Sequence, residues 1–152
     1  MNIVIFPFAK YLRENKDNKP HPKNYPFWKD LIKLLQADGH SVIQVGVVGE
    51  EQLVPDFFKN LPIDQLSSLV KMCDTWISVD SFGQHLGWDL GKKGIVLFGQ
   101  SDPNIFGHPE NINLLKDRKY LREKQFFWWE QAQANDDCWV TPEEIMEAVA
   151  KF

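Results

Sequence analysis

The sequence predicts a single α/β domain of Rossmann-like build, a mostly parallel sheet with helices on both faces. Three observations carry this. Short apolar runs alternate with stretches of helical spacing, joined mostly by short links. The strand-like runs are continuously apolar rather than alternating, as strands covered on both faces must be. The chain has 152 residues, enough for one domain and too few for two ordinary ones.

Taken in order, "NIVIFPF" reads as a buried strand at the start of the chain. Residues 9–24 are polar, charged and punctuated by proline, and read as a loop. In "PFWKDLIKLLQADGH", Phe27, Leu31, Leu34 and Leu35 recur at helical spacing, Pro26 suits the first turn and Gly39 ends the run. "HSVIQVGVVG" is the second strand. "EEQLVPDFFKNLP" is ambiguous, because Pro55 breaks any long element.

"IDQLSSLVKMC" then reads as a helix with Leu66, Leu69 and Val70 inward, "TWISV" as a strand, "SFGQHLGWDLGKK" as a helix and "GIVLFG" as a strand. "NINLL" supplies one more short strand, and residues 116–139 form a long connector with partial helical character. The chain closes on the sharpest local signal. In "VTPEEIMEAVAKF", Thr141 is placed as N-cap, Pro142 as the first helical residue and Glu144 as the reciprocal partner of a capping box. Val140 and Ile145 are spaced as a hydrophobic staple, so a structural helix is expected over 142–151.

Composition removes several classes. The chain is 43% hydrophobic and 25% charged, which is globular rather than disordered. A net charge of −4 argues against a general nucleic-acid binder. The apolar run at the N-terminus contains Pro7 and is soon followed by charge, so it reads as neither a signal peptide nor a membrane span. Cys73 and Cys138 match no metal spacing and no disulfide framework, and read as buried free thiols in a reducing cytoplasm. No cofactor and no metal ligand set is expected.

Function is concentrated where strands end. Ligands of open parallel sheets bind beyond the carboxyl ends of the strands. Asp80 and Ser81 fall at such an end, and the helix that follows begins with unpaired backbone N–H groups suited to an anion. Gly83 would permit close approach, and a protonated His85 would add positive charge one turn in. A plainer reading stands beside this one: Asp80 and Ser81 as N-cap residues, and His85 as a hydrogen-bonded core histidine. Three further loops share the same edge. They carry Lys23 in "KNYPFW", Glu50 and Glu51 in "VGVVGEEQL" where an acid often meets a ribose, and Ser101 and Asp102 in "FGQSDP". Four polar strand ends together predict a nucleotide-type site.

These segments resemble the C-terminal half of the heptosyltransferases, the family-9 glycosyltransferases of two-domain GT-B fold. The likeness runs from about Asn2 to Leu115 and rests on the order Asp80, Ser81, His85, Leu86, then a strand leading to Ser101, Asp102 and Pro103. It implies that residues 1–152 form one nucleotide-sugar-binding domain. It places Asp80, Ser81 and His85 at the diphosphate and sugar of a nucleoside-diphosphate-sugar donor, Lys23 at donor phosphate and Glu50 or Glu51 at the ribose. Ser101 and Asp102 correspond to the Thr-Asp of the family's second loop. Phe82 stands where the family has Gly, Tyr25 where it has Trp, and Gln100 where it has Pro.

The resemblance further implies inverting sugar transfer, in which the donor's diphosphate leaves and a base activates the acceptor. In the family the N-terminal domain supplies that base and the acceptor site. Since this chain opens at the first strand of the second domain, a homodimer mate or another partner is expected to supply both. Asp80, Asp102 and His108 are the side chains from which a base could be drawn, and Asp17 in the first loop reads as solvated. The aromatic run "QFFWW" suggests sugar stacking, but covering a sheet face or a subunit contact is the favoured reading. The alternatives to an enzyme are a non-catalytic nucleotide-sugar module and a degenerate interaction protein.

Overall fold

The computed structural model describes residues 1–10, 18–129 and 132–152. Asp17 lies outside the described residues. Six strands form one sheet: β1 (Asn2–Phe6), β2 (Ser41–Gly46), β3 (Phe57–Lys59), β4 (Thr75–Val79), β5 (Ile95–Phe98) and β6 (Ile112–Leu115). Their order across the sheet is β3-β2-β1-β4-β5-β6, and every pairing is parallel. The order reverses direction between β1 and β4, which opens a crevice at their carboxyl ends.

The helices are α1 (Trp28–Ala37), α2 (Ile63–Met72), α3 (Phe82–Asp89), α4 (Pro103–Phe106) and α5 (Pro142–Val149). Side chains alternate across each strand, so each strand feeds two cores. Ile3, Ile5, Ile77, Val79, Ile95 and Leu97 meet α1 and α5 through Trp28, Leu31, Leu35, Ile145 and Val149. Val4, Phe6, Trp76, Val96 and Phe98 face the other way, onto Val70 of α2 and Leu86 of α3. Each fully buried branched or aromatic side chain is worth about 1.5–3 kcal/mol against exposure, and the strands supply these on both sides.

The expected doubly covered parallel sheet is what the chain forms, with four differences. The ambiguous stretch around Pro55 contains β3, a three-residue edge strand held by pairing to β2. The Ser-Asp-Pro turn continues into α4, where Asp102 caps Asn104 N at 2.9 Å. Pro26 lies in a turn and α1 begins two residues later, with Gly39 at φ +80° just past its end. Helix α5 ends at Val149 rather than at Lys151.

The reciprocal cap of α5 is present in full. Glu144 N donates to Thr141 Oγ1 at 3.2 Å, and Thr141 N donates to Glu144 Oε2 at 2.6 Å. Both staple residues, Val140 and Ile145, are buried. Cys73 and Cys138 are buried and unbridged, and burial pushes the Cys138 thiol up to about 11. Among the described residues no helix is long and apolar enough to cross a membrane.

Candidate functional site

A cavity of about 780 Å³ lies at the carboxyl edge of the sheet, where the strand order reverses. Residues following β1, β2, β3 and β4 all reach it. Lys23, Glu50, Asp80, Ser81 and Gly83 line it; His85, Glu51, Ser101 and Asp102 do not. Five of the nine residues singled out in the sequence are thus brought together and four are held elsewhere.

Lys23 belongs to the turn that precedes α1, and local bonds fix its position. Its backbone N–H donates to His21 Nδ1 at 3.1 Å, Asn24 N donates to His21 O at 2.9 Å, and Ala9 N donates to Asn24 Oδ1 at 2.8 Å. Trp28 Nε1 ties the start of α1 to Pro7 O at 3.1 Å. The ammonium of Lys23 then lies 3.0 Å from Asp80 Oδ2. Asp80 is 4% exposed, and its other oxygen accepts from Gln84 Nε2 at 2.6 Å. Among the described residues no hydrogen bond is aligned on Oδ2, and Lys23 is the charge that offsets the burial of this carboxylate.

Ser81 is the N-cap residue of α3, yet its hydroxyl makes no capping bond. The first-turn N–H groups of this eight-residue helix therefore lack a side-chain acceptor from the cap position. Gly83 is required by close approach, but to protein: a Cβ there would overlap the ring of Phe6. Phe82 lines the cavity with 55% of its surface exposed, so its ring does not seal the start of the helix.

Glu50 is carried on the turn after β2. Gln44, fully buried in β2, fixes this segment by donating to Glu51 O and accepting from Leu53 N, both at 2.8 Å. Val47 N donates to Glu50 Oε2 at 3.2 Å. Burial raises the Glu50 pKa above its ordinary value, against a smaller lowering by the Val47 bond. Gly46 makes the fold-back possible, because a Cβ there would overlap the Glu50 carboxylate. Glu51 turns outward and pairs with Lys29 at 2.6 Å on the surface.

His85, which would add positive charge only if protonated, is held toward its neutral form. His85 Nδ1 and His108 Nε2 lie 2.8 Å apart, and the His108 ring stacks on Trp88 at 4.3 Å. Desolvation, then His108, lower the His85 pKa against the opposing pull of Asp80. Its imidazole is therefore neutral where an unperturbed histidine already begins to charge. Asp102 is likewise occupied: beyond capping α4 it takes Arg118 in a two-pronged pair, at 3.1 and 2.7 Å, and Arg118 holds its carboxyl below the usual range. Ser101 is buried at the end of β5.

The aromatic run was expected over a sheet face or in a subunit contact. In the structure it forms a wall of the cavity, through Phe126, Phe127, Trp128 and Trp129. The run by itself suggested sugar stacking, but its place on this cavity depends on residues about a hundred positions earlier. Among the described residues no three His, Cys, Asp or Glu side chains gather as a metal site.

No curated protein matches the chain. Solved structures do. ADP-heptose LPS heptosyltransferase II of E. coli is similar at 16% identity with a TM-score of 0.66, over 99% of this chain and 45% of that one. E. coli heptosyltransferase WaaC, solved with ADP, is similar at 14% identity with a TM-score of 0.68, over 98% and 43%. The dodecameric iron-containing heptosyltransferase TibC, solved with ADP-D-β-D-heptose, follows at 14% identity with a TM-score of 0.61, over 92% and 35%. At these identities the likeness shows the fold, and the chain spans less than half the length of each. The family assignment comes from sequence: the model of glycosyltransferase family 9 (heptosyltransferase) matches residues 2–125, most of the chain, and the chain belongs to that family.

Proposed function

We propose that this chain binds the nucleoside-diphosphate part of a nucleotide sugar and serves as the donor-binding half of a heptosyltransferase-type sugar transfer. The observation that carries the reading is convergence. Lys23 after β1, Glu50 after β2 and the Asp80–Gly83 turn after β4 meet in one cavity at the point where strand order reverses. ADP and ADP-D-β-D-heptose in two neighbours of the same fold support this ligand class.

Each group has a task in this reading. The first-turn N–H groups of α3 and the Lys23 ammonium, which has donors to spare beyond Asp80, would receive the diphosphate and stabilise its charge as it leaves. Glu50 would accept from a ribose hydroxyl. The pair Asp80–Gln84 holds Lys23 in place. Ser101 and Asp102 act from behind, by shaping the turn into α4.

The three side chains considered as a base are all engaged: Asp80 by Lys23 and Gln84, Asp102 by Arg118, and His108 by His85. We therefore assign the base and the acceptor site to a second subunit or partner. The same observation favours a second reading, a module that holds the donor without turning it over. Two buried free thiols suit a reducing compartment, and the cytoplasm is the proposed setting.

Calorimetric titration with ADP, GDP, UDP and CDP tests the reading. Binding of at least one is expected, weakened about tenfold by Lys23→Ala through loss of a charge-assisted contact. Absence of binding by all four at millimolar concentration overturns it. Release of nucleoside diphosphate from a nucleotide sugar, followed by mass spectrometry, separates transfer from holding.

A further inference from the structure

We infer that Trp129 is a positioning residue for Lys23, clamping its ammonium at the cavity wall between an indole face and the Asp80 carboxylate. The inference concerns how the proposed donor cavity is built and rests on that reading for its consequence, though not for its geometry.

Lys23 sits on a turn, outside any helix or strand, where a lysine side chain ordinarily samples many rotamers. Here its Nζ lies 3.0 Å from Asp80 Oδ2 and 4.7 Å from the centroid of the Trp129 ring. The indole face is the strongest aromatic partner for a cation, more so where water is excluded. The Lys23 side chain is 18% exposed, and both residues line the cavity.

Trp129 can impose a position only if it is itself held, and it is. Arg122 Cζ lies 3.9 Å from the centroid of the same ring. Arg122 is fastened through its backbone N–H to Gln100 O at 3.0 Å, through Nε to Lys124 O at 2.8 Å and through Nη2 to Phe127 O. Gln125 adds Nε2 bonds to Gln100 O at 3.0 Å and to Arg122 O at 2.7 Å. Its Oε1 accepts from Asp102 N at 3.0 Å. The connector is thus stitched to the segment after β5 and carries an indole back to the turn after β1.

Trp129 lies in the connector beyond residue 125, where the family match ends. A cation already fixed loses little freedom when an anion arrives, and it presents its charge without rearrangement.

The test needs two arms. In the first, lysine acetylation by acetic anhydride is followed residue by residue in the intact protein, without nucleotide. Trp129→Ala should raise the labelling rate of Lys23 about fivefold, Trp129→Phe should restore it, and exposed Lys33 should not change. An unchanged Lys23 rate in Trp129→Ala overturns the clamp whatever nucleotides do. So does an equal rise at Lys33, which would report general loosening.

In the second arm, the nucleoside diphosphates are titrated against Trp129→Ala in the native and Lys23→Ala backgrounds. About tenfold weaker binding is expected in the first background and no further loss in the second. An equal loss in both would mean that Trp129 touches the ligand itself, and would overturn the inference. If the native protein binds none of the nucleotides while Lys23 labelling behaves as expected, the clamp stands and the donor reading falls.

Discussion

His85 and His108, 23 positions apart in the chain, face each other across 2.8 Å, Nδ1 to Nε2. One ring must offer a lone pair, so the bond cannot survive two fully protonated imidazoles. Desolvation and His108 depress the His85 pKa below its ordinary 6.5, Asp80 pulls it back up and Lys23 pushes it down. A depressed folded pKa means that the unfolded chain takes the proton first as pH falls. Stability from this pair is therefore complete above 6.5 and is lost as pH drops toward the folded value. Melting temperature measured between about pH 5 and 8 should fall more steeply on the acid side in the native protein than in His85→Gln. Parallel curves would count against the pairing.

Glu50 runs the opposite way from a common salt-bridged acid. Burial raises its pKa above the ordinary 4.5, so the folded protein holds this proton to higher pH than the unfolded chain does. Its contribution is complete below 4.5 and is lost as pH rises through the folded value. Glu50→Gln keeps the shape and removes the charge. It should raise the melting temperature at neutral pH by a few degrees relative to the native protein, with the gain vanishing at acid pH. A gain that persists equally at acid pH would show that something other than ionisation is responsible.

Gly87 leaves room for Trp76, the largest fully buried side chain. A Cβ on Gly87 would overlap the indole, which is itself pinned by Nε1 to Lys92 O at 2.9 Å. Gly87→Ala should cost about 3 kcal/mol in urea unfolding, the upper end for overpacking, because neither helix α3 nor the indole can give way freely. Trp76→Phe in the same chain should recover part of that loss. Additive losses in the double variant would argue that the two residues are not in conflict.

The cap of α5 offers a local test. Thr141→Ala should cost about 1 kcal/mol, and Glu144→Ala should add less in its presence than alone, since each supports the other's bond. Chemical denaturation of the four proteins of this cycle gives the coupling directly.

What the sequence alone could show divides along the range of the interactions involved. Helix α5 was legible because its cap, first proline and staple lie within six residues of one another. The run from β4 through α3 to β5 was legible because two buried strands bracket a helical pattern. Strand β3 was not, since three residues after a proline have no period of their own and become a strand only by pairing with β2. Helix α4 was read as a turn because four residues led by Asp-Pro satisfy both descriptions. At the site, the strand-end rule found Lys23, Glu50, Asp80, Ser81 and Gly83. It did not separate them from Glu51, Ser101 and Asp102, whose directions depend on Lys29, burial and Arg118. The lowering of the His85 pKa was not legible, because it comes from burial and from a partner a whole strand–loop–helix away in sequence. The aromatic wall escaped for the same reason.

The central position of β1 bears on how the protein is made. This strand is synthesised before both of its neighbours, and one of them, β4, emerges only some seventy residues later. A nascent chain that has completed β2 and β3 therefore presents Ile3, Val4 and Ile5 along an unsatisfied edge, and both pairings of β1 are distant along the chain. A ribosome-stalled chain ending before Thr75 should recruit chaperones or aggregate, and one extended past Val79 should do so much less.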